Sequence, residues 1–146
     1  MGALLFYFAV AGALPLHPDA LLVAPFNVDV GQQVVELREP MIARSPGVRM
    51  VLFMRGAAPA DFEAAHPAGS VTAHLRDGDG HEIALAHTGY IYYHGYAGLE
   101  LTEQKAAGRG QSFAHFQLEA RVAMRNVRVV WLDRLARRVE DIAPVL

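Results

Sequence analysis

The stretch Val71 to His87, VTAHLRDGDGHEIALAH, constrains this chain more than any other. Two strand-like runs flank Asp77-Gly78-Asp79-Gly80, and the side chains decide the register between them. A two-residue loop at Gly78-Asp79 sets Leu75 opposite Glu82 and His74 opposite Ile83, mixing apolar with polar on one face. A three-residue loop over Gly78, Asp79 and Gly80 instead sets Leu75 against Ile83, Ala73 against Leu85 and Arg76 against Glu82. Every pair then matches its face, so this register is preferred. Such a loop is a type I turn followed by a left-handed position, where Gly80 has no Cβ to clash. Val71, Ala73, Leu75, Ile83 and Leu85 then face the core.

The flanking chain continues the β pattern. Phe26, Val28 and Val30 alternate strictly, Gly31 punctuates, and Val34, Val35 and Leu37 follow, reading as one or two short strands. Val48 to Met54, VRMVLFM, is nearly all apolar and reads as a central strand covered on both faces. Asp61 to His66, held between Pro59 and Pro67, is at most a helix of one to two turns. The polar, glycine-rich stretch Lys105 to Gly110 reads as an exposed, mobile loop. Ala114, Phe116, Leu118, Ala120 and Val122 share one face of a strand that turns at Arg125-Asn126 into Val127 to Leu132, with Trp131 read as core. Leu135, Val139 and Ile142 mark a short amphipathic helix that Pro144 ends. With 146 residues and no linker or repeat, residues 21–146 read as a single domain with a core of its own. The fold class is mainly β: an antiparallel β-sandwich of about seven or eight strands with one or two short helices.

Residues 1–20 stand apart. The apolar run from Met1 ends in Ala11-Gly12-Ala13 and resembles a secretory signal segment cleaved after Ala13, although no Lys or Arg precedes it. The alternative is a buried first strand. At about thirteen residues the run is too short to cross a bilayer, so the chain is not expected to span a membrane. The location is periplasmic or extracellular if the segment is a signal, and cytoplasmic otherwise.

Several chemistries lose their footing on composition and spacing. Charged residues are 19% of the chain and the net charge is −2, so the basic field that nucleic acid requires is missing. The absence of cysteine excludes disulfides, thiolate metal sites and a cysteine nucleophile. His81-Glu82 opens like a zinc-protease motif, but Leu85 stands where the second histidine belongs. His81 and His87 lie roughly 20 Å apart along a strand and cannot share an ion. His74 and His115 read as ordinary strand histidines. Asp77, Asp79 and Glu82 suggest calcium, but a turn explains these aspartates without an ion. Ser45, Ser70 and Ser112 lie in no nucleophile elbow, and Phe113 stands where the glycine pair Gly108 and Gly110 would need a third. Glu100, Glu103, Glu119 and Asp133 show no inferable pairing. A hydrolase would need scattered His and Glu side chains to converge. The expectation is a protein that is not an enzyme and uses no metal or cofactor.

The most unusual local composition is Thr88 to Glu103, where Tyr90, Tyr92, Tyr93 and Tyr96 surround His94 and Gly95. Tyrosine offers a large contact area with a polar tip at low entropy cost, which suits recognition. It also suits a plain strand with aromatic cross-strand partners. Read as a site, Tyr90, Tyr92, Tyr93, His94 and Tyr96 bind a protein partner, or alternatively a carbohydrate stacked on the rings.

Pro25-Phe26-Asn27-Val28 with Gly31, the strand Val48 to Met54, the turn Leu75-Arg76-Asp77-Gly78 and the strand Phe116 to Val122 together resemble a group of small bacterial β-sandwich domains of unknown function. Some members are exported and resemble immunity proteins that neutralise secreted effectors. The resemblance spans most of the chain through strand order and turn placement, and brings no catalytic motif. It implies a non-enzymatic β-sandwich that binds another protein, as an immunity-type inhibitor.

Overall fold

The computed structural model describes residues 20–42, 49–56, 58–93, 95–103 and 112–132, with the backbone alone at 20–22, 38, 39, 93 and 132. In chain order the elements are β1 (Ala20–Leu22), β2 (Phe26–Val28), β3 (Gly31–Ile42), β4 (Arg49–Arg55), α1 (Pro59–Ala65), β5 (Val71–Arg76), β6 (Glu82–Tyr93), β7 (Tyr96–Glu103), β8 (Ser112–Ala120) and β9 (Met124–Leu132). All strand pairs are antiparallel, in the order β1-β9-β4-β7-β6-β5-β8-β3, with β2 also on β9.

The expected sandwich of two sheets is replaced by one sheet of nine strands, nearly closed into a barrel. The reason lies at Asp29 and Val30. β1 and β2 line one edge of β9, opposite residues 130–132 and 124–127. The chain then bends into β3, which pairs with β8 at the far end of the order. One continuous segment therefore serves both ends of the sheet. The bend is fixed by Gln33, whose amide donates to the Asn27 carbonyl while its Oε1 accepts from the Asp29 N–H. It also sends Val30 outward, 67% exposed, where alternation with Phe26 and Val28 would have buried it.

The central hairpin has the expected register: Leu75 opposes Ile83, Ala73 opposes Leu85 and Arg76 opposes Glu82. Gly80 takes φ +86°. Val71, Ala73, Leu75, Ile83 and Leu85 are buried, each larger side chain adding roughly 1.5–3 kcal/mol of apolar burial. β4 is likewise the expected central strand. Met50, Leu52 and Met54 join the main core, while Val51 and Phe53 on the opposite face are fully buried as well.

Two assignments near the C-terminal strands change. Phe116, Leu118 and Ala120 face the core, but Ala114 is exposed and Phe113 is buried in its place, where the pairing with β3 shifts register. The turn before β9 lies at Arg121 to Ala123, not at Arg125-Asn126, and the Arg121 N–H donates to the Ser70 carbonyl. Trp131 is core, as expected. The signal segment to residue 19, the loop 105–110 and the helix 133–142 lie outside the described residues, although β1 begins at Ala20. Among the described residues no helix is long and apolar enough to cross a membrane.

Candidate functional site

The tyrosine cluster lies on β6 and β7 at the end of the barrel where α1 packs. Its geometry follows from one extra residue. β6 pairs His87 with Leu101 but Gly89 with Glu100, which leaves Thr88 as a bulge. Before the bulge Ile83, Leu85 and His87 point inward. After it the inward set is Tyr90 and Tyr92, opposite the core residues Leu99 and Ala97.

Both inward tyrosines meet α1. The helix starts with Pro59 in its first turn and carries Asp61 there, favourable placements for a proline and a carboxylate. Phe62 is its one buried residue. That ring is edge-on to Tyr90 at 6.2 Å and to Tyr92 at 6.1 Å, and lies tilted against His66 at 4.4 Å. The Tyr90 hydroxyl donates to the His66 carbonyl, and the Tyr92 hydroxyl donates to the Glu63 carboxylate. Burial first, and the Glu63 charge next, raise the Tyr90 phenol above its ordinary value. Burial and then the hydrogen bond to Glu63 push Tyr92 up to about 12.

Of the five expected site residues, Tyr90 is thus half-buried under α1, whereas Tyr92 keeps 38% of its surface exposed. Tyr96 is half-buried on β7 with the Arg55 guanidinium 5.2 Å from its ring centre. Tyr93 pairs with Tyr96 through the backbone, and His94 lies outside the described residues. The fold adds Arg55, Phe62, Glu63 and His66 to this end of the barrel. The helix itself is legible in the sequence, but its contacts cross 24 to 33 residues, and no local pattern encodes them.

Other titratable groups gather elsewhere. On the outer face His74 Nδ1 lies 2.9 Å from Glu82, and its Nε2 lies 3.8 Å from Glu119. The Arg76 hydrogen bond first, and His74 next, hold the Glu82 carboxyl below its ordinary value. At the hairpin, ligand atoms of Asp77, Asp79 and His81 come within 4.8 Å of one another. Asp77 Oδ1 there already accepts from the N–H groups of Asp79 and His81, and its Oδ2 faces His81 Nδ1, so the turn itself accounts for their proximity. His81 thus lies at the hairpin, His74, Glu82 and Glu119 on the outer face and Glu63 and His66 at α1, while Glu100 pairs with Arg49 and Glu36 stands opposite His115. No protein-family model, curated protein or solved structure matches the chain.

Proposed function

We propose that this is a non-enzymatic binding domain whose partner is another protein, engaged at the end of the barrel formed by α1 and the β6–β7 hairpin. One observation carries this reading: at this end of the β6–β7 hairpin the exposed Tyr92 ring holds the Glu63 carboxylate of α1, and the Arg55–Tyr96 pair lies on the other face of the same strands. Tyrosine and arginine side chains with a charged rim are the usual makings of an interface hot spot. The narrower form, an immunity-type inhibitor of a secreted effector, rests on the sequence resemblance alone, whose implied sandwich the single nine-stranded sheet does not reproduce. A carbohydrate-binding module is favoured by one feature, an exposed tyrosine ring with a carboxylate on its hydroxyl.

The test compares wild type with Tyr92→Ala/Tyr93→Ala/Tyr96→Ala in pull-downs from the native host, with circular dichroism confirming that both are folded. A protein held stoichiometrically by wild type and lost from the triple variant is the expected result. Equal recovery by both would remove the surface assignment, and glycan-array binding in place of a protein would select the second reading.

A further inference from the structure

Among the described residues one imidazole is buried, that of His87 beside Tyr90 beneath α1. His87 is 4% exposed. Its Nε2 faces the Gly89 carbonyl at 3.1 Å, an acceptor, so this nitrogen carries the hydrogen and Nδ1 holds the lone pair. Nδ1 is buried and makes no hydrogen bond. The Pro67 carbonyl favours the protonated ring, as the smallest of the influences on it, and it already accepts both the N–H and the hydroxyl of Ser70. The ring is edge-on to Tyr90 at 5.0 Å, and Tyr90 in turn holds the carbonyl of His66, the residue that caps α1.

We propose that α1 is an acid-released cap: a proton taken up at His87 Nδ1 loosens the helix and uncovers Phe62, Tyr90 and Tyr92. The groups around the imidazole set the direction. From α1 the titratable group acting on it is His66, whose positive charge opposes a second one. Glu63 acts on the two tyrosines. β6 offers the Tyr90 phenol, and β7 places Leu101 opposite.

Burial first, with His66 adding to it, lowers the affinity of His87 for a proton below the ordinary value of 6.5. The closed state therefore stays neutral where an opened one is protonated. Stability is full above about 6.5, falls as the pH drops below it, and stops falling once the closed state also takes up the proton. The helix yields before the strands do. α1 is held by one buried ring and two tyrosine hydroxyls, whereas β6 is bonded along both edges, to β5 and to β7.

Amide hydrogen exchange on the full chain tests this, followed from pH 7.5 to 5.0 and corrected for intrinsic exchange. Uptake of one proton predicts that the opening constant at the helical amides of Phe62 and His66 rises by up to about tenfold per pH unit below 6.5. Core amides of β5 and β8 should not follow. His87→Phe should flatten the dependence, whereas His66→Gln should leave most of it. A flat wild type, or equal slopes in wild type and His87→Phe, overturns the proposal. If His87→Phe does not fold, the wild-type imidazole is titrated by NMR. A ring that titrates together with helix opening supports the latch, and one that titrates while α1 stays protected refutes it.

Discussion

Gly98 is the position at which one added methyl group reports most directly on how tightly the outer face of the sheet is packed. It sits on β7 opposite Phe53 of β4. A Cβ built there lies 2.8 Å from Val51 Cγ1 and 3.0 Å from two carbons of the Phe53 ring. Carbon pairs prefer about 3.5–4.0 Å, so both neighbours would have to retreat by roughly half an ångström or more. Neither has room: Val51 and Phe53 are fully buried, and a β-branched valine is stiff at χ1. Overpacking of this kind costs about 1–3 kcal/mol. Gly98 has no left-handed φ, so alanine also restricts the unfolded chain and returns about 0.4–1 kcal/mol. The expected net loss for Gly98→Ala is roughly 1–2 kcal/mol, or a melting point lower by about 3–8 °C. Trp131, the sole tryptophan and 3% exposed, reports urea unfolding by its fluorescence. Val51→Ala in the same chain should relieve part of the clash, with a coupling of about 0.5–3 kcal/mol. A Gly98→Ala protein that unfolds at the same or higher urea would refute the reasoning, because Val51 and Phe53 would then have space to spare.

Other consequences can be checked with the same protein. Phe62→Ala removes the only buried side chain of α1 and should cost about 3 kcal/mol; a change below about 1 kcal/mol in urea titration means the helix is held by something else. Gly80→Ala, at φ +86°, should lose about 1 kcal/mol by thermal melting, and no loss would contradict the left-handed turn. Asp77→Ala removes the acceptor for two hairpin N–H groups and should cost about 1 kcal/mol, whereas Asp77→Asn keeps an acceptor and should cost less. Equal losses would point to charge instead. Tyr92 ionises at about 12 rather than 10.0, so its stabilising effect is complete below pH 10 and disappears as the pH rises toward 12. Spectrophotometric titration should show a late phenol that Tyr92→Phe abolishes.

What could be read from sequence was local. The hairpin register is decided by three cross-strand pairs and one glycine, all within the hairpin itself. Burial on both faces of β4 followed from an uninterrupted apolar run. Asn126 shows how sound turn chemistry can mark the wrong event. It does take a positive φ of 56°, but inside β9, at the irregularity opposite β2, where its N–H donates to Asn27 Oδ1. Ring closure was hidden because it depends on β1 and β2 meeting β9, and on β3 meeting β8, far along the chain. The inward turn of Tyr90 and Tyr92 was hidden by the bulge at Thr88, since a reading with period two carries the wrong phase past it. The tyrosines stood out in composition, but Phe62 and Glu63, which give them partners, lie in a helix too short to show which face it buries.

The bend at Asp29 and Val30 also sets the order in which the molecule can assemble. A ribosome releases β2 and β3 early, yet their partners β8 and β9 emerge about ninety residues later. During that interval the twelve residues of β3, with Val34 and Val35 adjacent, have no neighbour within the chain. The middle of the sheet has a different history, because the β5–β6 and β6–β7 hairpins form between consecutive elements. They can nucleate while the first strands wait. Closure of the sheet therefore has to wait for β8 and β9, and until they emerge β3 is an open strand edge that can pair with a neighbouring nascent chain.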